Sequence, residues 1–269
     1  MTKRIVLLTG ATGGIGRETA RLLLKNGDYP ILVSRNKSTL HELRNELGSG
    51  DIFSCDVTQE EEVDQLVEQV LQRYGKVDIL INNAGHGAFG GALDLAVSDY
   101  ADMMETNYLG AVRLTQAFLP SMLQYGGGRI INIASVAGLT GIPNLSAYCA
   151  SKFALIGFSE ALKLEYSPRI LVGVLCPGPV QTPFFKGIHP SCFFPAPIAR
   201  QLIDAQTVAK HVIRLIERPR VKVIPRPMHW AIQLRNILPG FYLWATKKVY
   251  DSFKQEESHP ARKKHSSTL

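Results

Sequence analysis

Ile5-Val6-Leu7-Leu8-Thr9-Gly10-Ala11-Thr12-Gly13-Gly14-Ile15-Gly16 is the stretch on which the fold turns. Four consecutive apolar residues fit a short strand buried on both faces. Thr9-Gly10 stops that run. From Ile15 to Asn26 the spacing becomes helical, with Ala20, Leu23 and Leu24 apolar, and Gly27 closes the helix. The join holds Gly10, Thr12, Gly13, Gly14, Ile15 and Gly16. Glycines there let the chain turn tightly and bring its backbone up to a pyrophosphate seated on the positive end of the helix. A glycine cluster alone is weak evidence. Its place between a strand and a helix gives it meaning.

The same rhythm continues outward. Ile31–Ser34, Ile52–Cys55, Asp78–Ile81, Arg129–Ala134, Ile170–Leu175 and Val221–Ile224 read as strands. Lys37–Leu47, Gln59–Tyr74, a long and bent Ser98–Gln124, Ser146–Glu165 and Thr207–Glu217 read as helices. Val63, Leu66, Val67, Val70 and Leu71 make one apolar stripe. Strands alternating with helices predict an α/β fold: a Rossmann-like, doubly wound parallel sheet with helices on both faces. The expected organisation is a single catalytic domain over 1–226, a helical extension over 227–251 and a disordered polar tail over 252–269. Residues 183–206 carry Pro183, Pro190, Pro195 and Pro197 without periodicity and read as an irregular lid.

Composition narrows the function classes. Cys55, Cys149, Cys176 and Cys192 form no C-x-x-C pair, and no His/Cys cluster has zinc spacing, so reduced thiols and no metal are expected. The N-terminal apolar run is too short for a signal-peptide core, and no apolar stretch approaches the ~20 residues of a spanning helix. The expected location is the cytoplasm, or a membrane surface from that side. Residues 200–269 hold fourteen Lys and Arg against five Asp and Glu, so the net charge of +7 resides in the C-terminal part. No nucleic-acid-binding module accompanies that charge, and nucleic acid is not an expected partner.

Further motifs follow in order: Asn82-Asn83-Ala84-Gly85 after the fourth strand, Asn107 in the long helix, Ser135 after the fifth strand, Tyr148-Cys149-Ala150-Ser151-Lys152, and Pro177-Gly178-Pro179-Val180-Gln181-Thr182. With the T-G-x-x-x-G-x-G loop, this series resembles the short-chain dehydrogenase/reductase family over residues 3–183. The resemblance implies a nicotinamide cofactor held by the glycine loop, Asp56-Val57, Asn83, Ala84, Gly85, Tyr148, Lys152, Pro177, Gly178, Val180 and Thr182. It also implies a homodimer or homotetramer.

The second strand ends Leu32-Val33-Ser34-Arg35. A carboxylate at that end would favour NAD. Ser34 carries no charge to exclude a phosphate, and the planar fork of Arg35 suits the 2′-phosphate of NADP. NADP(H) is therefore expected over NAD(H), with Arg17 adding positive potential. Asp56 has a competing role as a helix N-cap, although Thr58 is the better cap for the helix that follows.

Tyr148 and Lys152, four apart, share a helix face. A free tyrosine, with pKa near 10, is a poor base. A nearby ammonium and an oxidised nicotinamide would lower that value and fit Tyr148 for proton exchange with an alcohol or a developing alkoxide. The expected catalytic set is Asn107, Ser135, Tyr148 and Lys152. Ser135 and Tyr148 would hold the substrate oxygen, and the resemblance implies that Asn107 holds a water beside Lys152. His86, Phe184 and Phe185 are candidate pocket residues, and Cys149 reads as a packing side chain.

The apolar segment Phe184-Phe185 … Cys192-Phe193-Phe194-Pro195 either favours a lipophilic ketone, aldehyde or secondary alcohol, or simply packs the lid on the core. Residues 228–248, with Trp230, Tyr242, Trp244, Lys247 and Lys248, suit a membrane interface, a pocket cover or an oligomer contact. Two rivals to an oxidoreductase remain: a nucleotide-sugar epimerase or dehydratase on the same fold, and a cofactor-binding sensor or scaffold with an idle site.

Overall fold

The computed structural model describes residues 3–182 and 192–258. Seven parallel strands run through it in the order β3-β2-β1-β4-β5-β6-β9. They are β1 (Ile5–Thr9), β2 (Tyr29–Ser34), β3 (Asp51–Ser54), β4 (Ile79–Asn82), β5 (Gly128–Ile133), β6 (Ile170–Pro177) and β9 (Val221–Ile224). The helices between them are α1 (Gly14–Lys25), α2 (Lys37–Leu47), α3 (Glu60–Tyr74), α4 (Val97–Met104), α5 (Gly110–Gln124), α6 (Ser146–Tyr166) and α8 (Ala205–Glu217). This is the expected doubly wound sheet. The strand order reverses between β1 and its neighbours β2 and β4, and ligands of open α/β sheets bind outside the carboxyl ends of the strands at such a point.

Each face of the sheet has its own core, because alternate side chains of one strand point opposite ways. Val6 and Leu8 pack with Leu23 of α1 and Val212 of α8. Leu7 faces the other way, toward Leu66 of α3 and Phe118 of α5.

Several boundaries differ from the sequence reading. The long helix is interrupted by a π turn, Glu105–Leu109, between α4 and α5. Thr58 does not cap α3: its N–H and hydroxyl both bond Asp56 Oδ1, at 3.0 and 2.9 Å. The helix begins instead after Gln59, with Glu60, Glu61 and Glu62 in its first turn to meet the helix dipole. The segment after β6 is not wholly irregular. It contains β7 (Val180–Gln181), α7 (Ala196–Ala199) and β8 (Ile203–Asp204), and β7 pairs with β8 as a two-stranded ribbon. Beyond β9 come α9 (Arg226–Ile237) and α10 (Pro239–Ser258). α10 thus runs past residue 252, where a disordered tail was expected. Lys, Gln and Glu in that stretch are good helix formers, so polarity alone did not end the helix.

Candidate functional site

A cavity of about 940 Å³ opens at the carboxyl ends of β1, β4, β5 and β6. Its floor begins with the glycine loop. Gly10 has φ +61°, and a Cβ there would stand 2.9 Å from Ala84 Cα. A Cβ on Gly16 would stand 2.2 Å from the Gly10 carbonyl oxygen. The loop is therefore folded back on itself and pressed against the end of β4. Asn83 fastens it, donating from Nδ2 to the carbonyls of Thr9 and Gly10 at 2.9 and 3.1 Å. The Thr9 hydroxyl accepts from the N–H of Asn83 and of Ala84. Thr9 opens the T-G-x-x-x-G-x-G motif, and its role in tying the loop to the end of β4 comes from its buried hydroxyl, which leaves no periodic trace in the sequence.

The residues fit a dinucleotide. Gly13 caps α1 without a side chain, and the first turn of α1 holds no acidic residue. The first turn of α1 thus lines the cavity with no side-chain cap on its N–H groups, which suits a diphosphate. Thr12, Gly14, Ile15, Ser34, Arg35, Asp56, Val57 and Gly85 line the same cavity. Thr12 and Ser34 join hydroxyls at 2.8 Å. The Arg35 side chain is 72% exposed and stands 3.8 Å from Asp56, a contact too open to fix it. Arg17 is a correction: it pairs with Glu46, so its charge is answered locally rather than directed at the cavity.

At the other end lie Ser135, Tyr148 and Lys152, with Pro177, Gly178, Val180 and Thr182 beside them. α6 brings Tyr148 and Lys152. A buried bond holds the helix against the sheet: Asn132 of β5 donates to Ser159 Oγ at 2.7 Å. Lys152 is buried and donates from Nζ to the Ile133 carbonyl at 2.9 Å. Burial holds its pKa down at about 8. Its ammonium stands 5.7 Å from the centre of the Tyr148 ring.

Burial pushes the Tyr148 phenol up to about 12, while a hydrogen bond with the Ser135 side chain pulls the other way. The sequence reading anticipated a lowered value. In the protein alone, desolvation of a phenolate outweighs its neighbours, and Lys152 is itself desolvated. Ser135 also caps the short turn that follows, accepting from the Ala137 N–H at 3.1 Å.

Asn107 does not line the cavity but sits behind it, in the π turn. Its Oδ1 accepts from the His86 N–H at 2.9 Å, and its Nδ2 donates to the His86 carbonyl and to Ser151 Oγ at 2.8 and 2.9 Å. Both Nδ2 hydrogens are thus used on protein partners, and Oδ1 keeps one lone pair. π turns gather at functional sites, and this one clamps the loop after β4 to α6. His86 lines the cavity, and burial keeps its imidazole below the ordinary value.

Cys149 is buried, and burial raises its thiol, as for Cys55 and Cys176, both pushed up to about 12. No group of His, Cys, Asp and Glu suited to a metal occurs among the described residues. Phe184 and Phe185 lie outside the described residues. Phe193 stacks on Phe89 at 4.1 Å, and Phe194 is buried while also lining the cavity. The aromatic segment thus both packs and lines.

The far wall was only one of several readings of the sequence. Met228, Ile232, Tyr242, Thr246 and Tyr250 of α9 and α10 line the cavity. Tyr250 is 5% exposed, and its hydroxyl has no partner among the described residues. Burial raises its pKa. A buried hydroxyl without a bond costs about 1–3 kcal/mol. Tyr250→Phe is expected to raise Tm by a few degrees, a gain on the order of 1 kcal/mol. A thermal melt without added ligand checks it, and a lowered Tm would mean that the hydroxyl is satisfied in solution.

The model of the family described as short chain dehydrogenase matches residues 4–192. A 3-ketodihydrosphingosine reductase of Bacteroides thetaiotaomicron is 42% identical over 186 residues, which cover 68% of this chain and 66% of that protein. Epidermal retinol dehydrogenase 2 of Mus musculus is 32% identical over 245 residues, 87% of this chain and 78% of that protein. Among solved structures, a variant actinorhodin polyketide ketoreductase with NADPH aligns with TM-score 0.76 and 34% identity, covering 82% of this chain and 95% of that one. The glycine cradle at the switch point, the seven-stranded parallel sheet and these matches lead to one assignment: the chain belongs to the short-chain dehydrogenase/reductase family of oxidoreductases.

Proposed function

We propose that this chain is an NADP(H)-dependent reductase or dehydrogenase that interconverts a lipophilic carbonyl compound and its alcohol, with Tyr148 as general acid and base. The observation that carries the reading is the meeting of Ser135, Tyr148 and Lys152 at the end of the cavity that begins at the glycine loop. The nicotinamide supplies or accepts the hydride when bound. The chain's own residues hold, orient and exchange a proton. Ser135 holds the substrate oxygen by its hydroxyl and stabilises negative charge growing there. Tyr148 gives its phenolic proton to that oxygen in reduction and takes it back in oxidation. The Lys152 ammonium, held by the Ile133 carbonyl, favours the phenolate form and would also hold the nicotinamide ribose when the cofactor is bound. Asn107 acts through position, fixing the loop of His86 against α6. Val180 and Thr182, which line the same end of the cavity, would orient the carboxamide.

The apolar wall supports a lipophilic substrate: Ile142, Leu145, Phe194, Met228, Ile232 and Val249 offer nothing to hold a carboxylate or phosphate. The relative named 3-ketodihydrosphingosine reductase, by its name, reduces a keto compound, and a carbonyl substrate of that kind suits a site beside this wall. Exposed Phe153 and Leu164 on α6 support assembly as a homodimer or homotetramer through that helix. Four free cysteines suit the cytoplasm.

The preference for NADP rests on Arg35 and Ser34. Removing the guanidinium removes a charge-assisted, bidentate partner of the 2′-phosphate. Arg35→Ala is expected to weaken NADPH binding about tenfold, less than a buried ion pair would lose because the side chain is exposed, and to leave NADH binding unchanged. Titrating both cofactors by their fluorescence checks this. Equal weakening of both would assign Arg35 a role in the loop rather than in phosphate recognition.

A further inference from the structure

Residues 230–249 hold eight of the fifteen exposed large hydrophobic side chains among the described residues. Such a density on two consecutive helices marks a contact surface rather than scatter. Trp230, Ile237 and Trp244 are 69%, 73% and 58% exposed. Trp230, Leu234 and Ile237 repeat at helical spacing along α9. On α10, the rings of Phe241 and Trp244 lie 5.8 Å apart. From Arg226 to Lys248 the sequence has four basic residues (Arg226, Arg235, Lys247, Lys248) and no acidic one.

Leu234 and Val249 are each exposed and also line the cavity. The apolar outer surface is therefore continuous with the cavity mouth. Exposed tryptophans beside basic residues on an outward apolar face fit the boundary between anionic headgroups and acyl chains. A second copy of the chain fits less well, because a two-fold contact would set the basic side chains of this stretch against their own copies, with Asp251 answering Lys247 alone. No helix among the described residues is long and apolar enough to cross a membrane, so the mode is in-plane.

We propose that the outer face of α9 and α10 docks on an anionic lipid surface, with Trp230 and Trp244 entering the headgroup–acyl boundary and the cavity mouth at the membrane. Delivery of an apolar substrate from the bilayer to Tyr148 follows if the lipophilic-substrate reading holds. The docking itself does not depend on turnover.

The chain has two tryptophans, both on this face, so their emission reports on it directly. The full-length protein is mixed at low salt with vesicles of phosphatidylcholine, with or without phosphatidylglycerol, and then floated. A blue shift of emission and flotation with the anionic vesicles, both diminished by salt, are expected. Trp230→Ser/Trp244→Ser should no longer float. Lys247→Gln/Lys248→Gln should partition about tenfold less, each lysine near such a surface being worth a factor of roughly five and Lys247 being partly spent on Asp251. Unchanged melting of both variants shows that the fold is kept. Absence of any shift or flotation overturns the proposal. So does a blue shift that grows with protein concentration alone and accompanies dimerisation lost in the tryptophan variant, which would make the face a contact between copies.

Discussion

Tyr148→Phe is expected to lower kcat roughly a thousandfold, inside the about 10²–10⁴ that a positioned proton donor contributes, while NADPH binding stays unchanged. The substitution removes one oxygen and leaves the ring in its packing. Ser135 keeps its place as the cap of the turn after β5, since its hydroxyl also bonds the Ala137 N–H. What is lost is the proton at the substrate oxygen. The pH dependence has a sign that can be worked out. Reduction uses the protonated phenol and a charged Lys152. With Tyr148 at about 12 and Lys152 at about 8, reduction should be level below pH 8 and fall above it as the ammonium deprotonates. Oxidation uses the phenolate beside the same charged Lys152, so it should rise with pH up to about 8 and level off above, where the gain in phenolate is offset by the loss of ammonium. Profiles of kcat/KM in both directions check this. Parallel profiles would mean that the proton comes from elsewhere.

Gly16→Ala is expected to abolish measurable NADPH binding and to destabilise the protein by about 2–4 kcal/mol. The reason is backbone against backbone. A Cβ at this position would stand 2.2 Å from the Gly10 carbonyl oxygen and 2.8 Å from Ala11 Cα, and neither is the movable end of a side chain. Relief requires the loop to open, which takes the first N–H groups of α1 away from the diphosphate. Gly13→Ala makes a useful contrast, since its Cβ would meet only the Gly10 carbonyl oxygen, at 3.3 Å. It should fold and bind NADPH more weakly. A cofactor titration and a urea melt on both variants separate the two effects. Wild-type binding by Gly16→Ala would mean that the loop is not the diphosphate cradle.

The parallel sheet was legible because hydrophobic runs and helical stripes alternate cleanly from Ile5 to Ile224, and the glycine loop because the change of period falls on it. Other features left no such trace. The π turn at Asn107 inserts one residue into a helix without altering its composition, and only the clamp on His86 accounts for it. The raised phenol of Tyr148 follows from burial by distant parts of the chain, whereas spacing reveals only that Lys152 is near. α9 and α10 resisted reading for a different reason. They are apolar on two sides, with Ile232 and Tyr250 turned to the cavity and Trp230 and Trp244 turned outward. A single stripe would have identified a core helix, and two stripes do not say which one faces inward.

The most direct test of the reductase reading follows NADPH absorbance during incubation of the purified wild-type protein with a panel of long-chain and aromatic ketones and aldehydes, with the alcohol product quantified. The account predicts NADPH consumption matched one to one by alcohol for at least one lipophilic carbonyl. Tight NADPH binding with no alcohol from any member of the panel would contradict it and favour a sensor or scaffold with an idle site.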